Sequence, residues 1–412
     1  MQIKPILAAL KRHKAGTVLI ALQIALTLAI VCNALFIIQQ RVSKLVRPTG
    51  VAESEVLTVQ NSWVGADDAT AASRTKTDLL ALRGMPGVRD ASFSNSYPLR
   101  GGGMSLGVKT DPDVKKPITG ATIYYSDDHS IDALGAKLIA GRNFLPQEIR
   151  WVGSNEFDAP AQVIISKALA HKVYPDGSAL GKPIYLALGE TGGKPSTVVG
   201  IVERLQVPWS GNWASNFVEY SVLVPYQSTG AFGSYIIRAK PGQLDALTKA
   251  VPALLFKTNR MRVIPAERGV RTFAQVRDEA YKSDRGMAIL MGVVCAVLLA
   301  ITAAGIVGLT SFWVGQRRKQ IGVRRALGAT KHDILSYFLT ENLLIGAGGV
   351  IVGAALAIGM NLWLVSHFEM ERLSLLYVVV GVVALLLLGQ GAVLAPAMKA
   401  SRVPPVEATR SV

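Results

Sequence analysis

A chain of 412 residues, half of them hydrophobic, carries a formal net charge of +16 and only two cysteines. Both cysteines, Cys32 and Cys295, lie in long apolar runs, which excludes a disulfide framework for the polar part of the chain. The charge argues against nucleic acid as a partner once it is divided. Residues 41–285 hold 30 Lys and Arg against 23 Asp and Glu, whereas the short flanks of the apolar runs hold 13 Lys and Arg against Asp333 and Glu407. Much of the basicity is therefore membrane topology and attraction to anionic lipid.

In chain order, residues 1–14 form a basic start with Lys4, Lys11, Arg12 and Lys14. A first apolar span at 15–38 is too long for a signal-peptide core and reads as an uncleaved anchor. Residues 39–285 are mostly polar and numerous enough to bury one core or two smaller ones. A strand at 55–60, a helix at 75–83 and a strand at 88–97 make a first βαβ unit. A strand at 235–239, a helix at 244–256 and a strand at 260–265 make a second. Such crossovers make parallel pairs, so the units at about 50–114 and 227–267 are expected to combine into one split α/β layer. Between them, about 115–226, short strands at 161–166, 196–202 and 220–224 describe an inserted β-rich subdomain. Residues 268–285 read as one helix entering a second span at 286–314. A cytoplasmic segment at 315–342, a third span at 343–365, a short outer loop at 366–373, a fourth span at 374–396 and a basic tail at 397–412 complete the chain. Each span meets the roughly 20 residues needed to cross hydrocarbon, and the basic flanks keep both termini and 315–342 inside. The expected fold is an α-helical membrane protein with four transmembrane helices and a large exported α+β domain.

The segment QRRKQIGVRRALGATKHDILSYFLTENLLI (316–345) is the most informative. Arg317, Arg318, Lys319, Arg324, Arg325 and Lys331 crowd its first half. Past Gly328, Ile334, Leu335, Phe338 and Leu339 recur at helical spacing with Lys331, His332 and Ser336 turned away. This predicts a short amphipathic helix at the inner membrane face, suited to a lever worked by a cytosolic partner; composition alone leaves an ordinary basic loop open.

Polar residues within the spans are candidates for helix–helix contacts. Gln23 and Asn33, ten residues apart, sit close to one face of a helix and are placed to bond a neighbouring span. Glu341 costs about 2.5–3.5 kcal/mol at mid-bilayer, so an interfacial site paired with Arg324 or Arg325 is expected. Gly346, Gly349 and Gly353 allow close helix approach, within one chain or between two. In the exported part, LQVPWSGNWASNFVEY (205–220) gathers Trp209, Trp213, Phe217 and Tyr220 with few charges. Two readings stand: a contact surface for a protein or lipophilic ligand, or side chains folded into the β core.

Patterns that would carry chemistry are near misses. GSALGKP (177–183) has one residue too few for a phosphate loop, and Pro183 replaces the magnesium-binding hydroxyl, so it reads as a turn. Gly103-Met104-Ser105-Leu106-Gly107 fits G-x-S-x-G but follows a glycine run with no helix after it, so it reads as a loop. The five histidines show no zinc spacing, and Asp127, Asp128 and His129 read as a solvated turn rather than a cation site. No residue is assigned a catalytic role.

Taken together, these pieces resemble the MacB/FtsX-type ABC transporter permeases of the mechanotransmission class. RRKQIGVRRALGATKHDILSYFLTENLLI is similar to that family's stalk and coupling helix, and PAMKASRVPPVEATR (396–410) to its C-terminal tail. LGAKLIAGRNF (134–144), VIISKALAHKVYPDGSALGKPIYL (163–186), VVGIVERL (198–205) and VLVPY (222–226) resemble family motifs in the exported domain, so the match runs along nearly the whole chain. The resemblance implies a multi-pass protein of the bacterial inner membrane that works as a dimer with a second permease, the same chain or a paralogue. A cytosolic ATPase would dock on Lys331, His332, Asp333, Ile334, Leu335, Phe338 and Leu339, with Arg317, Arg318, Lys319, Arg324 and Arg325 as stalk. Because span 1 begins by about residue 15, the ATPase is expected as a separate subunit that uses ATP and Mg, and no cofactor is expected on this chain. The implied work is export of an amphiphile, peptide or drug, with a periplasmic adaptor and an outer-membrane channel as further partners. The alternative within the family is a signal relay that activates a periplasmic cell-wall hydrolase without transport.

Overall fold

The computed structural model describes residues 14–153, 157–187, 194–368 and 372–404, so the basic start before residue 14, most of the outer loop's acidic stretch and the tail after 404 lie outside the described residues. The chain divides into two units, Met1–Val46 with Ser283–Val412, and Arg47–Lys282.

Helix α1 (Lys14–Leu45) is followed by strand β1 (Val56–Trp63), helix α2 (Asp68–Arg83) and strand β2 (Val88–Ser94). The next stretch supplies β3 (Met104–Lys109), β4 (Thr119–Tyr125), α3 (Ser130–Leu134), β5 (Leu138–Gly141), β6 (Arg150–Val152), β7 (Gln162–Ser166) and α4 (Lys167–Val173). It continues with β8 (Pro183–Ala187), β9 (Pro195–Val202), β10 (Ser221–Val224) and β11 (Tyr226–Ser228). The chain then returns with β12 (Phe232–Ala239), α5 (Leu244–Thr258), β13 (Arg262–Val263), β14 (Val270–Thr272) and α6 (Phe273–Ala280). Helix α2 starts seven residues before its predicted position because Asp67 caps it, accepting from Thr70 N at 2.8 Å; its first turns are small and polar and carry no apolar period.

The separated βαβ units do form one layer, ordered β13-β1-β12-β2, but not by the expected parallel pairing. Strand β12 lies antiparallel to both β1 and β2, and β13 lies antiparallel to β1. Each crossover leaves a gap one strand wide, and a strand of the other unit fills it. Leu57, Val59, Phe93, Tyr235 and Ile237 meet Leu79, Leu82, Val251 and Leu255 of the two helices in one buried core. Residues 268–285 are not one helix: β14 pairs with β1, and Thr272 and Gln275 then form a reciprocal capping box that starts α6.

The inserted subdomain is more ordered than its short strands suggested, and it starts before the expected residue 115, because β3 (Met104–Lys109) pairs into its sheet rather than with the first βαβ unit. Strands β9, β7, β10, β4, β3 and β8 pair in succession, and β8 pairs back onto β9, so the sheet closes into a ring of six. Strand β5 takes the remainder of the same β9 edge. Alternate residues, Leu106 and Val108, Ala121 and Ile123, Val163 and Ile165, Ile184 and Leu186, Val222 and Val224, fill its core, as the two-residue period of a strand requires. The G-x-S-x-G pattern falls in β3 rather than a loop, with Ser105 opposite Thr122. The residues read as a degenerate phosphate loop do form the turn into β8.

Helices α7 (Lys282–Gln316), α8 (Arg318–Ala326), α9 (Lys331–Phe368) and α10 (Leu375–Ser401) complete the first unit. Together with α1, the helices α7, α9 and α10 are long and apolar enough to cross a membrane. Helix α1 is the hub. Gln23 Nε2 donates to Ile301 O of α7 at 3.1 Å, Thr27 and Thr302 hydroxyls lie 2.8 Å apart, and Asn33 Nδ2 donates to Ala357 O of α9 at 3.1 Å. Gln23 and Asn33 thus serve two different neighbours rather than one. A Cβ on Gly349 or Gly353 would meet a carbonyl oxygen of α1, Ala21 or Ala25, at 2.8 Å, so these glycines set the α1–α9 approach within the chain.

Candidate functional site

The junction between the second and third membrane helices is where the sequence placed its lever. The structure moves the lever by one element. Lys331–Leu339 is not a separate short helix but the opening turns of the continuous α9, because nothing after Thr330 interrupts its hydrogen-bond ladder. The short amphipathic helix is α8, made of the basic residues read as stalk. It ends in a Schellman motif: Ala329 N donates to Arg324 O at 3.0 Å and Gly328 N to Arg325 O at 3.2 Å, with Gly328 at φ +97°. Helix α9 starts at once, as Thr330 N donates to Asp333 Oδ2 at 2.9 Å and Asp333 N to Thr330 Oγ1 at 3.1 Å. Thr330 is therefore the helix cap and exposed Asp333 its partner in a capping box.

The predicted docking residues separate by burial. Lys331, His332 and Asp333 are exposed, Leu335 and Leu339 are half-buried, and Ile334 and Phe338 are buried among the chain's own membrane helices. Ile334 and Phe338 thus face inward, and the apolar period that suggested a docking face is packing within the unit. Sequence reasoning missed Val323 and Leu327, which are exposed beside Arg324, Leu327 by 83%. The sequence held part of the signal, an apolar residue just before Gly328 at a helix end; that Ile321 and not Leu327 takes the buried side of α8 shows only in the fold.

The stalk residues also separate. Arg318, Lys319 and Arg324 are exposed and Arg325 is half-buried. Arg317 is buried, and its Nη1 lies 3.0 Å from both carboxylate oxygens of the buried Glu341. The expected pairing of Glu341 with Arg324 or Arg325 is replaced by this bond, which joins the α7–α8 boundary to α9. Arg324 instead lies 4.9 Å from the Tyr337 ring centre. A guanidinium and a carboxylate removed together from water need each other, since either alone would be an uncompensated buried charge.

In the other unit, both readings of the aromatic segment hold for part of it. Trp209, Trp213 and Phe217 form one cluster with ring centres 5.0–6.3 Å apart, and Trp213 is 61% exposed. Tyr220 leaves the group and packs against the barrel core. Asp127 and His129 are not a solvated turn. Buried Asp127 accepts from Arg83 Nη2, Ser92 Oγ and Ser130 Oγ at 2.7–2.8 Å, and His129 Nδ1 lies 2.8 Å from Asp90. This cluster ties α2 and β2 to the segment after β4. The hydrogen bond to Asp90 raises the pKa of His129 above its ordinary value. A second buried cluster sets Asp78 between both terminal nitrogens of Arg262, each at 2.8 Å, and the Tyr235 hydroxyl at 2.5 Å. Burial first, then the Asp78 charge, push the Tyr235 hydroxyl well above its usual range. Among the described residues no group of His, Cys, Asp and Glu is arranged to hold a metal ion.

Comparison with known proteins assigns this architecture. The family model of the MacB-like periplasmic core domain matches residues 17–254, and that of the FtsX-like permease C-terminal matches 292–405. The chain belongs to the MacB/FtsX-type ABC transporter permeases. The macrolide export ATP-binding/permease protein MacB of Chromobacterium violaceum is 28% identical over 55% of this chain, but only 33% of its own length is covered. Two uncharacterized ABC transporter permeases of Bacillus subtilis are matched more fully: YvrN at 26% identity over 70% of this chain and 69% of its own, and YknZ at 23% over 82% and 79%. Among solved structures, the extracellular domain of YknZ aligns with TM-score 0.32 at 17% identity, over 52% of this chain and 98% of its own. The periplasmic region of MacB from Actinobacillus actinomycetemcomitans aligns with TM-score 0.35 at 14% identity, over 56% and 94%. The permease is thus a membrane protein whose Arg47–Lys282 unit is a periplasmic domain.

Proposed function

We propose that this permease is the non-catalytic membrane subunit of an ATP-driven exporter in a bacterial inner membrane, with ATP and Mg handled by a separate cytosolic ATPase. The observation that carries this reading is the α8 elbow, a short basic helix between two membrane helices with Val323 and Leu327 exposed among Arg318, Lys319 and Arg324. The ATPase docks on this face and on the exposed first turn of α9, Lys331 to Asp333. Ile321 packs α8 into the membrane core and the Arg317–Glu341 bond grips α9, so a push on the elbow displaces α7 and α9 as one body. Helix α7 carries that displacement to the periplasmic domain, since the chain passes from α6 through Tyr281 directly into it. A second permease packs on lipid-facing surface of these helices, and a periplasmic adaptor and outer-membrane channel receive the cargo, an amphiphile, peptide or drug.

Gentle purification of the tagged chain from its native membrane, with partners identified by mass spectrometry, tests the assembly. Recovery of a P-loop ATPase supports it; an intact preparation without one refutes it, and a cell-wall hydrolase in place of an adaptor supports a signal relay instead. Leu327→Asp and Asp333→Lys are each expected to lower transport-coupled ATP hydrolysis at least tenfold while the chain still inserts. Ile334→Val, a small change on the inward face, should leave coupling near wild type. Normal coupling in both elbow variants would remove the docking assignment.

A further inference from the structure

A cavity of about 280 Å³ in the periplasmic domain is walled in part by Gln60, Arg100, Ser210, Arg268, Arg271 and Glu279. Its three guanidiniums are not equivalent. Arg268 is spoken for, with Nη2 at 2.8 Å from Glu279 Oε1. Arg100 and Arg271 have no carboxylate within ion-pair distance among the described residues. Arg271 Nη2 donates to the Tyr97 hydroxyl at 3.0 Å, and Arg100 Nη1 reaches the Asn95 and Gly102 carbonyls only at 3.4 Å. The Nε of both is buried without a hydrogen-bond partner. Burial, and the like charge of Arg271 nearby, lower the pKa of Arg100 below the usual guanidinium value.

The backbone is held unusually to place Arg100. Leu99, directly before it, is the one non-glycine residue described with positive φ, at +65°, and Gly101 after it has φ +90°. Such a conformation persists only where surrounding contacts fix it. Those contacts lead to the aromatic segment: Leu99 N donates to Val207 O at 3.3 Å and Gly101 N to Pro208 O at 2.8 Å. Trp209 follows Pro208 at once, and Ser210 is already part of the cavity wall. The arginine wall and the Trp209–Trp213–Phe217 cluster, in which Trp213 is exposed and Trp209 and Phe217 are half-buried, therefore follow one another along one loop pair.

Two guanidiniums brought together without a counter-charge form a cradle for an oxyanion, since planar N–H forks match carboxylate and phosphate geometry. The volume falls just below the roughly 300–1,000 Å³ that encloses a drug-sized ligand, so it accommodates a head group and leaves the rest outside. The chain runs from Ser210 of the wall back to Trp209 of the aromatic cluster. We propose that the cavity binds the acidic group, phosphate or carboxylate, of an amphiphile whose apolar part lies on Trp209, Trp213 and Phe217. This names a cargo class for the exporter and rests on the export reading only for what happens to the ligand afterwards.

The test uses the full chain in phosphatidylcholine nanodiscs without any ATPase, so its outcome is independent of the docking experiment. Calorimetric titration compares inorganic phosphate, hexyl phosphate and hexanoate. Hexyl phosphate is expected to bind at least tenfold more tightly than inorganic phosphate, with hexanoate showing whether a carboxylate substitutes. Arg100→Gln with Arg271→Gln should abolish binding of all three. Arg268→Glu, at an exposed position where folding is not at risk, should weaken them severalfold by reversing charge at the cavity wall. Trp209→Ala with Trp213→Ala should bring hexyl phosphate down to the affinity of inorganic phosphate and leave the latter unchanged. Absence of binding to the wild type, indifference to Arg268→Glu, or hexyl phosphate no tighter than inorganic phosphate would each overturn the proposal.

Discussion

Asp78 and Arg262 are fully buried in the periplasmic domain, and Arg317 and Glu341 nearly so in the membrane unit, yet the two pairs keep different company. Arg262 meets Asp78 with two nitrogens, donates Nε to Asn259 O at 2.8 Å, and stacks 4.3 Å from the Trp63 ring centre, while Tyr235 donates to the same carboxylate. That cluster draws on β1, α2, β12 and β13, and so staples the two separated halves of one sheet. Arg317 meets Glu341 through Nη1 alone and spans a helix boundary. A carboxylate and guanidinium held by several bonds from four elements make a rigid brace; a single bond across a junction makes a coupling that can be passed from one helix to the next.

The contrast can be broken at either end. Asp78→Ala should cost most, about 3–5 kcal/mol, because it strands a buried guanidinium; thermal unfolding of the full chain in nanodiscs would show it, and a milder loss would mean the cluster is not a brace. Next comes Gly353→Leu, whose first side-chain carbon would meet Ala25 O at 2.8 Å. Forcing α1 and α9 apart should cost about 1–3 kcal/mol by overpacking, read as lowered resistance to detergent denaturation, and unchanged resistance would show that the helices separate freely. Asn33→Leu removes a single interhelical bond and should cost only about 0.6 kcal/mol in the same assay. The smallest effect is a pH dependence at His129. Its folded pKa is raised by Asp90, so the pair's stabilisation is fully present below the unfolded value of about 6.5 and is lost as pH rises through the higher folded value. With the ring over a third exposed, screening leaves about 0.3 kcal/mol. The periplasmic domain should therefore melt slightly higher at pH 5.5 than at pH 8, by a margin that His129→Gln erases.

The membrane helices and the two-part periplasmic domain were legible because each rests on a pattern that local chemistry enforces: long apolar runs, and strand–helix–strand units with apolar periods. What was not legible required partners distant in sequence. No local signal says that β12 will enter between β1 and β2, since the gap it fills is made by residues over a hundred positions earlier. Glu341 was recognised as costly when buried, but the nearest arginines in sequence were the wrong choice, because its partner Arg317 lies at the far end of α8. Ile334 and Phe338 were seen as one apolar face, and periodicity cannot say whether such a face meets a partner or its own chain. Arg100 and Arg271 were not singled out at all; neither sits in a motif, and only the folded loop after Ser96 brings them together.

The sheet order has a consequence for how the protein is made. Strand β12 pairs with both β1 and β2, so when the early half of the sheet emerges across the membrane both strands wait with open edges. The six-strand ring can close in the interval, since all its members lie between them in the chain. Domains of this kind fold by non-local closure, which is slow and leaves unpaired edges exposed to aggregation while it waits. A pause in synthesis or secretion before Phe232 would therefore leave a finished barrel tethered to an unfinished sheet, a species for periplasmic chaperones and proteases to recognise.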